Sequence, residues 1–195
     1  HIFFLLGAYY FFKLISLLYK DKTIAIIGLL FLILNPTIYG HSFFNSKDLP
    51  FLSMLIICFY QFALAFRDKK YFQFILLGLF TSVLINIRIM GILFLFFTLF
   101  FLAFDAFVSR KEKHLLKKNL LIGVLFFTTT ILFVIIGWPL LWKNPIDNFV
   151  FAFNNLSKYP WDGKNLFKGE LISAEHLKWD YIPVWFSINT PIIYF

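Results

Sequence analysis

Apolar residues run through this chain in long stretches, and the charged residues fall in short breaks between them. About six stretches have the ~20 mostly apolar residues that a membrane-spanning helix needs. They are 1–19, 23–40, 50–66, 71–88, 90–108 and 119–141, and a seventh begins near Tyr181 and is cut short. A charge at the centre of a bilayer costs several kcal/mol, so lipid sorts residues in this way. The pattern predicts an all-α chain, a polytopic transmembrane helix bundle that forms a single transmembrane domain over 1–195.

The breaks also predict which way the bundle faces. Those after the first, third and fifth stretches carry Lys13, Lys20 and Lys22, then Arg67, Lys69 and Lys70, then Arg110, Lys111, Lys113, Lys117 and Lys118. The two intervening short breaks carry only Lys47 and Arg88. Basic loops stay on the cytoplasmic side, so 41–49, the Arg88 turn and 142–180 are expected to face the exterior, periplasm or lumen. Lys13 lies inside the first apolar stretch, which predicts that this span ends early and that Lys13 snorkels to the headgroups.

The segment 142–180 is too polar to span and too long for a simple hairpin, which suits a lid or an acceptor-binding element. Asn144-Pro145 reads as the N-cap and first residue of a helix, with Ile146, Phe149, Val150 and Phe153 following at i, i+3, i+4 and i+7. An interfacial helix is therefore expected near 145–157, closed by Lys158 and Pro160. A turn at Tyr159-Pro160-Trp161-Asp162-Gly163 follows. Trp138, Trp142, Trp161, Trp179 and Trp185 sit where indoles favour a membrane interface.

Composition agrees and excludes several classes. Hydrophobic residues make up 61% of the 195 and charged residues only 14%, with a mean hydropathy of +0.81, outside the range of soluble domains. The net charge of +8 is explained by the short basic loops, so nucleic acid is not an expected partner, whereas membrane lipids are. The single cysteine, Cys58, has no partner for a disulfide and reads as packing. The thirty Phe residues belong to a general richness in Phe, Ile, Lys and Asn and are not read as stacking sites. Nucleotide-loop, nucleophile-elbow and zinc motifs are all missing from the sequence. The chain starts at His1 and stops at Phe195 inside an apolar segment, so a piece cut at both ends is expected.

Three positions at the expected exterior boundary could carry chemistry. In His41-Ser42-Phe43-Phe44-Asn45-Ser46-Lys47-Asp48-Leu49-Pro50, a helix would put His41, Asn45 and Asp48 on one face. Pro50 fits the start of the next helix, and Asp48 then reads either as a capping acid with Lys47 its solvated neighbour, or as a functional carboxylate. In Asn86-Ile87-Arg88-Ile89-Met90-Gly91 a single arginine lies between two apolar runs. Its planar fork of donors suits phosphate oxygens, or it anchors the interface by pairing with Asp48 or another acid. Gly91 lets a backbone or ligand approach closely. Aromatic–acid pairs at Trp161-Asp162 and Trp179-Asp180-Tyr181 suit a sugar site, but taken alone they favour an aromatic belt. Asp105 and His114, among the basic loops, read as solvated or interfacial, and His176 stands as a candidate in the long segment.

The run Asn35-Pro36-Thr37-Ile38-Tyr39-Gly40-His41 through Asp48-Leu49-Pro50-Phe51 resembles the second exterior loop of bacterial relatives of the dolichyl-phosphate-mannose protein mannosyltransferases and aminoarabinose transferases, in the GT-C superfamily. Asn86–Gly91, Trp138-Pro139-Leu140-Leu141-Trp142-Lys143-Asn144-Pro145, Trp179-Asp180-Tyr181-Ile182-Pro183 and Thr190-Pro191 resemble further stretches of that subgroup in the same order. The resemblance implies a GT-C-like bundle in a bacterial inner membrane. Its implied activity is inverting transfer of a sugar from a polyprenyl-phosphate donor to an acceptor hydroxyl or amine at the non-cytoplasmic face. An acid would act as general base, and cationic groups or a divalent metal would stabilise the departing phosphate.

The family's principal acid lies in the first exterior loop, ahead of this piece, so the piece alone is expected to be inactive. By resemblance Asp48 takes the second acidic position and Arg88 a basic position suited to phosphate, while His41, Asn45, Lys47, Trp179 and Tyr181 line the substrate. Lys178 and Asp180 depart from the family's Pro-Trp pattern there. No metal-ligand set is visible in the sequence, and the acceptor is not identified. The alternative is a transporter or flippase for a lipid-linked or amphipathic substrate, since such proteins also place isolated charges at helix ends. A structural membrane subunit would need no further explanation for its belts and basic loops.

Overall fold

A computed structural model describes residues 1–157, 163–173 and 176–194. The chain divides into two compact units, His1–Asn148 and Phe149–Phe195.

The first unit is helical throughout: α1 (Ile2–Tyr19), α2 (Lys22–Ile33), α3 (Pro36–Phe44), α4 (Asp48–Asp68), α5 (Tyr71–Ile87), α6 (Ile92–Val108), α7 (Lys113–Gly137) and the start of α8 (Pro145–Ser157). Among the described residues four helical segments are long and apolar enough to cross a membrane: α1, α4, α6 with its flanking turns, and α7. The protein is an integral membrane protein by this measure. Two expected spans differ from the sequence reading. The 23–40 stretch is broken into α2 and α3, bent by 63°, because the Asn35 side chain accepts the Ile38 N–H at 3.0 Å and so starts a new helix with Pro36 behind it. Counting that pair as one span gives five. The 71–88 stretch forms α5, an apolar helix of 17 residues.

Short, locally encoded turns make the helices antiparallel. Lys20 and Lys69 end α1 and α4 in the left-handed conformation, at φ 54° and 50°. Asp21 then caps α2, accepting from Thr23 N–H at 2.7 Å and Ile24 N–H at 3.3 Å. All the short basic breaks collect at one end of the bundle, where Lys69 pairs with Asp105 of α6. Asp105 is therefore a half-buried ion-pair partner, in keeping with an interfacial place at the helix end. Lys13 lies inside α1, which continues to Tyr19. Its ammonium lies 5.1–5.8 Å from the ring centroids of Tyr9, Tyr10 and Tyr60, so three π faces accommodate the charge within the helix.

The core lies where α5 meets α4 and α7, with Phe74, Leu77, Leu84, Ile122, Phe126 and Cys58 fully buried. Apolar character cannot sort inside from outside in lipid, and α6 shows this: Phe96, Phe100, Phe104 and Phe107 stand exposed on one stripe while Phe94 and Leu95 are buried. Helix contact is set by close backbone approach instead. A methyl on Gly78 would come within 2.8 Å of the Phe126 carbonyl of α7, and one on Gly7 within 2.6 Å of Ser53 of α4. The buried hydroxyls of Thr81 and Thr130 donate to the carbonyls four residues earlier in their own helices, both at 2.8 Å.

After α7 the chain turns through Pro139–Leu141 into α8, which starts at Pro145 as its sequence pattern predicts. The Asn148 amide donates to Leu140 O at 2.6 Å and pins that turn. Ile146, Val150 and Phe153 of α8 are exposed, an apolar stripe of the interfacial kind.

The second unit holds the rest of α8, a hairpin of β1 (Lys164–Phe167) and β2 (Glu170–Ser173), and α9 (Tyr181–Asn189). The strands pair antiparallel from Lys164 with Ser173 to Phe167 with Glu170. Their two-residue turn, Lys168-Gly169, has positive φ at both positions, 51° and 85°, matching the twist of the strands. The hairpin has no counterpart in the sequence reading of 142–180. The Tyr159–Asp162 turn with Trp161, and the closure of α8 by Lys158 and Pro160, lie outside the described residues.

Candidate functional site

The end of the bundle opposite the basic loops holds the candidate residues. Because α4 and α5 are antiparallel, the first residue of α4 and the residue after α5 come out together. Asp48 Oδ1 and the Arg88 guanidinium meet at 2.6 Å, with both side chains roughly half exposed (51% and 43%). α4 separates this pair from the basic end by 21 residues, or about 30 Å, the thickness of a bilayer's hydrocarbon.

Sequence reasoning expects His41, Asn45 and Asp48 on one helix face. The structure breaks the helix there: α3 ends at Phe44, Asn45 is extended, and α4 begins at Asp48. The three side chains still meet, through Asn45. Its amide nitrogen lies 2.8 Å from Asp48 Oδ2, to which it donates, and 3.1 Å from His41 Nδ1. Its carbonyl accepts the backbone N–H of Asp48 at 2.8 Å and of Lys47 at 3.2 Å. Asn45 is thus the side chain that satisfies the free backbone donors at the start of α4, the role the capping reading gave to Asp48. That leaves Asp48 Oδ1 for Arg88. Pro50 is the third residue of α4 rather than its first, still within the turn whose N–H groups have no helical partner. Lys47 is exposed, and among the described residues its ammonium has no hydrogen-bond or ion-pair partner.

Arg88 is held by backbone on both sides. Its N–H donates to Leu84 O at 3.1 Å, and its carbonyl accepts from Gly91 N–H at 2.8 Å. Gly91 closes a single 3₁₀ turn, Ile89–Gly91, against α5, where a Cβ would stand 2.7 Å from Ile85 N. This is the close approach the sequence suggested at Gly91, and the neighbour is backbone. Asn86 and Gly137 were not singled out from sequence. The Asn86 amide reaches the Phe133 carbonyl of α7 at 3.4 Å and occupies the space a side chain at Gly137 would need. Together they dock the Arg88 turn onto α7.

Beside the Asp48–Asn45 link lies an open pocket of about 300 Å³ between the start of α1 and the α3–α4 turn, lined by Phe4, Ser42, Asn45, Ser46, Leu49 and Pro50. Exposed Phe3, Phe43 and Phe44 also border it, and Ser42 is buried within it.

Trp179 and Tyr181 belong to the second unit. Trp179 is 90% exposed, and Tyr181 packs edge-on against Phe167 at 5.2 Å. Asp180 accepts from Lys168 Nζ at 2.6 Å, and that hydrogen bond holds its carboxyl below the usual carboxylate range. His176 is exposed. Among the described residues no three His, Cys, Asp or Glu side chains are gathered as a set that could hold a metal ion. Comparison with family models, with curated proteins and with solved structures returns no match to this chain.

Proposed function

We propose that this chain is part of a membrane glycosyltransferase that moves a sugar from a polyprenyl-phosphate carrier to an acceptor hydroxyl or amine at the non-cytoplasmic face. The observation that carries the reading is the Asp48–Arg88 pair at the bundle end remote from the basic loops. A guanidinium has five N–H donors in a plane, and one carboxylate oxygen leaves most of them for the phosphate of a donor lipid. Asp48, oriented by Asn45 and through it by His41, sets the direction in which the Arg88 fork opens. As sugar leaves, charge grows on the carrier phosphate, and a prepositioned cation stabilises that charge. The adjoining pocket has apolar side chains (Phe4, Leu49, Pro50) for the isoprenoid side of the donor and polar ones (Ser42, Asn45, Ser46) for the sugar. The general base is expected on a segment outside 1–195, as the family resemblance implies.

The test is a strain lacking the full-length gene, complemented with Arg88→Ala or Asp48→Asn. Arg88→Ala is expected to lower transfer about 10²–10³-fold, the usual cost of removing one charge-stabilising donor. Membrane insertion should be intact, and mass spectrometry should find the undischarged lipid-linked sugar accumulating. Normal discharge in both variants would remove the site assignment.

A further inference from the structure

The basic end of the bundle carries a second feature that sugar transfer does not use. Between α6 and α7 lies an open groove of about 440 Å³, a size within the ~300–1,000 Å³ of small-molecule sites. Ala103 and Ala106 of α6 and Gly123, Val124 and Phe127 of α7 line it, and they are apolar. A Cβ built on Gly123 meets nothing within 4 Å, so the space there is open. Asn119 closes the polar end, donating to Ser109 Oγ across the turn that joins the helices, at 3.2 Å.

The charges continue the groove's own lines. On α7, Lys113 and Lys117 extend the stripe of Leu120, Val124 and Phe127 at i, i+4, i+7, i+11 and i+14. Just past the end of α6, in the 3₁₀ turn Ser109–Lys111, the Arg110 guanidinium lies 4.2 Å from the Phe107 ring centroid. Lys113, Lys117 and Arg110 are exposed, and Glu112 is the single acid between Ala106 and Asn119. An apolar groove between two helices, with three exposed cations on the turn and first helical turns next to it, matches an acyl chain beneath an anionic headgroup. A neutral or zwitterionic lipid would leave the cations without a counter-charge.

We infer that the α6–α7 groove is a binding site for one anionic phospholipid of the leaflet at the basic end, with an acyl chain against Gly123, Val124 and Phe127 and its phosphate on Arg110, Lys113 and Lys117. The site stands about a bilayer's thickness from the Asp48–Arg88 pair and does not depend on the sugar-transfer reading.

The experiment is native mass spectrometry of the full-length protein released from nanodiscs with equal phosphatidylglycerol and phosphatidylcholine. The wild type is expected to keep one phosphatidylglycerol per chain. Neutralising Arg110, Lys113 and Lys117 together, each to Gln, should weaken retention about five-fold for each charge, the equivalent of ~1 kcal/mol apiece near a membrane surface. Gly123→Leu fills the groove with every cation in place and should also release the lipid. Ala106→Leu fills it from the facing helix should the first variant fold poorly. Undiminished phosphatidylglycerol on the filled variants would reduce the site to surface attraction and overturn the proposal. So would equal retention of phosphatidylcholine by the wild type.

Discussion

Replacing Gly91 by alanine is expected to destabilise the bundle by about 1–3 kcal/mol, the usual cost of forcing an extra carbon into packed structure, and to release Arg88 from Asp48. The added Cβ would stand 2.7 Å from Ile85 N, 2.8 Å from Leu84 C and 2.9 Å from Ile85 Cα. All three are backbone atoms, so no side chain can rotate aside. Ordinary carbon contacts lie at ~3.5–4.0 Å, so the turn must retreat by nearly 1 Å. Arg88 sits inside that turn, bonded to Leu84 O and Gly91 N, and would move with it. A contact of 2.6 Å stretched by ~1 Å passes beyond hydrogen-bonding range. Gly40→Ala is the control, because a Cβ there meets nothing within 4 Å and a glycine inside a helix costs up to ~1 kcal/mol against alanine. Cys58 is fully buried and is the chain's single cysteine, so a thiol-reactive fluorophore reports unfolding on heating in detergent. Gly91→Ala should melt lower than the parent and Gly40→Ala at or above it. A Gly91→Ala protein as stable as the parent would refute the packing argument.

Two further outcomes follow from the ion pairs. A double-mutant cycle of Asp48→Asn and Arg88→Ala should give a coupling of about 0.2–1 kcal/mol, because both groups are half solvated; a coupling above ~2 kcal/mol would make the pair a structural anchor. Lys168 depresses the Asp180 pKa, so this bond's contribution is present above the ordinary aspartate range (~3.9) and is lost as pH falls through the lower folded value. Carboxyl-carbon NMR should show Asp180 titrating below that range and Lys168→Met moving it back up; a midpoint at or above the ordinary value would contradict the contact.

Much of the helical layout was legible because two signals are local. Charged breaks mark the ends of α1, α4 and α6, and Asn144-Pro145 marks the start of α8. What was not legible depends on backbone geometry. The bend between α2 and α3 carries the same Asn-Pro signal, at Asn35-Pro36, but it sits inside a continuous apolar run whose length outweighed it. The meeting of Asp48 with Arg88 could be named as one of two readings, since antiparallel neighbours bring their ends together. The roles of Asn45, Asn86 and Gly137 needed coordinates: an amide that caps one helix, reaches two side chains or displaces a neighbour's Cβ leaves no periodic trace. The β1–β2 hairpin was missed because Lys168-Gly169 is a weak turn signal beside Asn-Gly or Asp-Gly.

The bent α2–α3 pair also bears on the surrounding lipid. α2 has 12 residues, and α3 contributes 9 more at 63° to it, so with Leu34 and Asn35 between them they rise about 27 Å along the α2 axis. Typical hydrocarbon is ~30 Å thick, leaving the acyl tails beside this pair to adjust by about 3 Å, at a fraction of a kcal/mol for each. Counted as one span along the α2 axis, the pair fits hydrocarbon slightly thinner than typical.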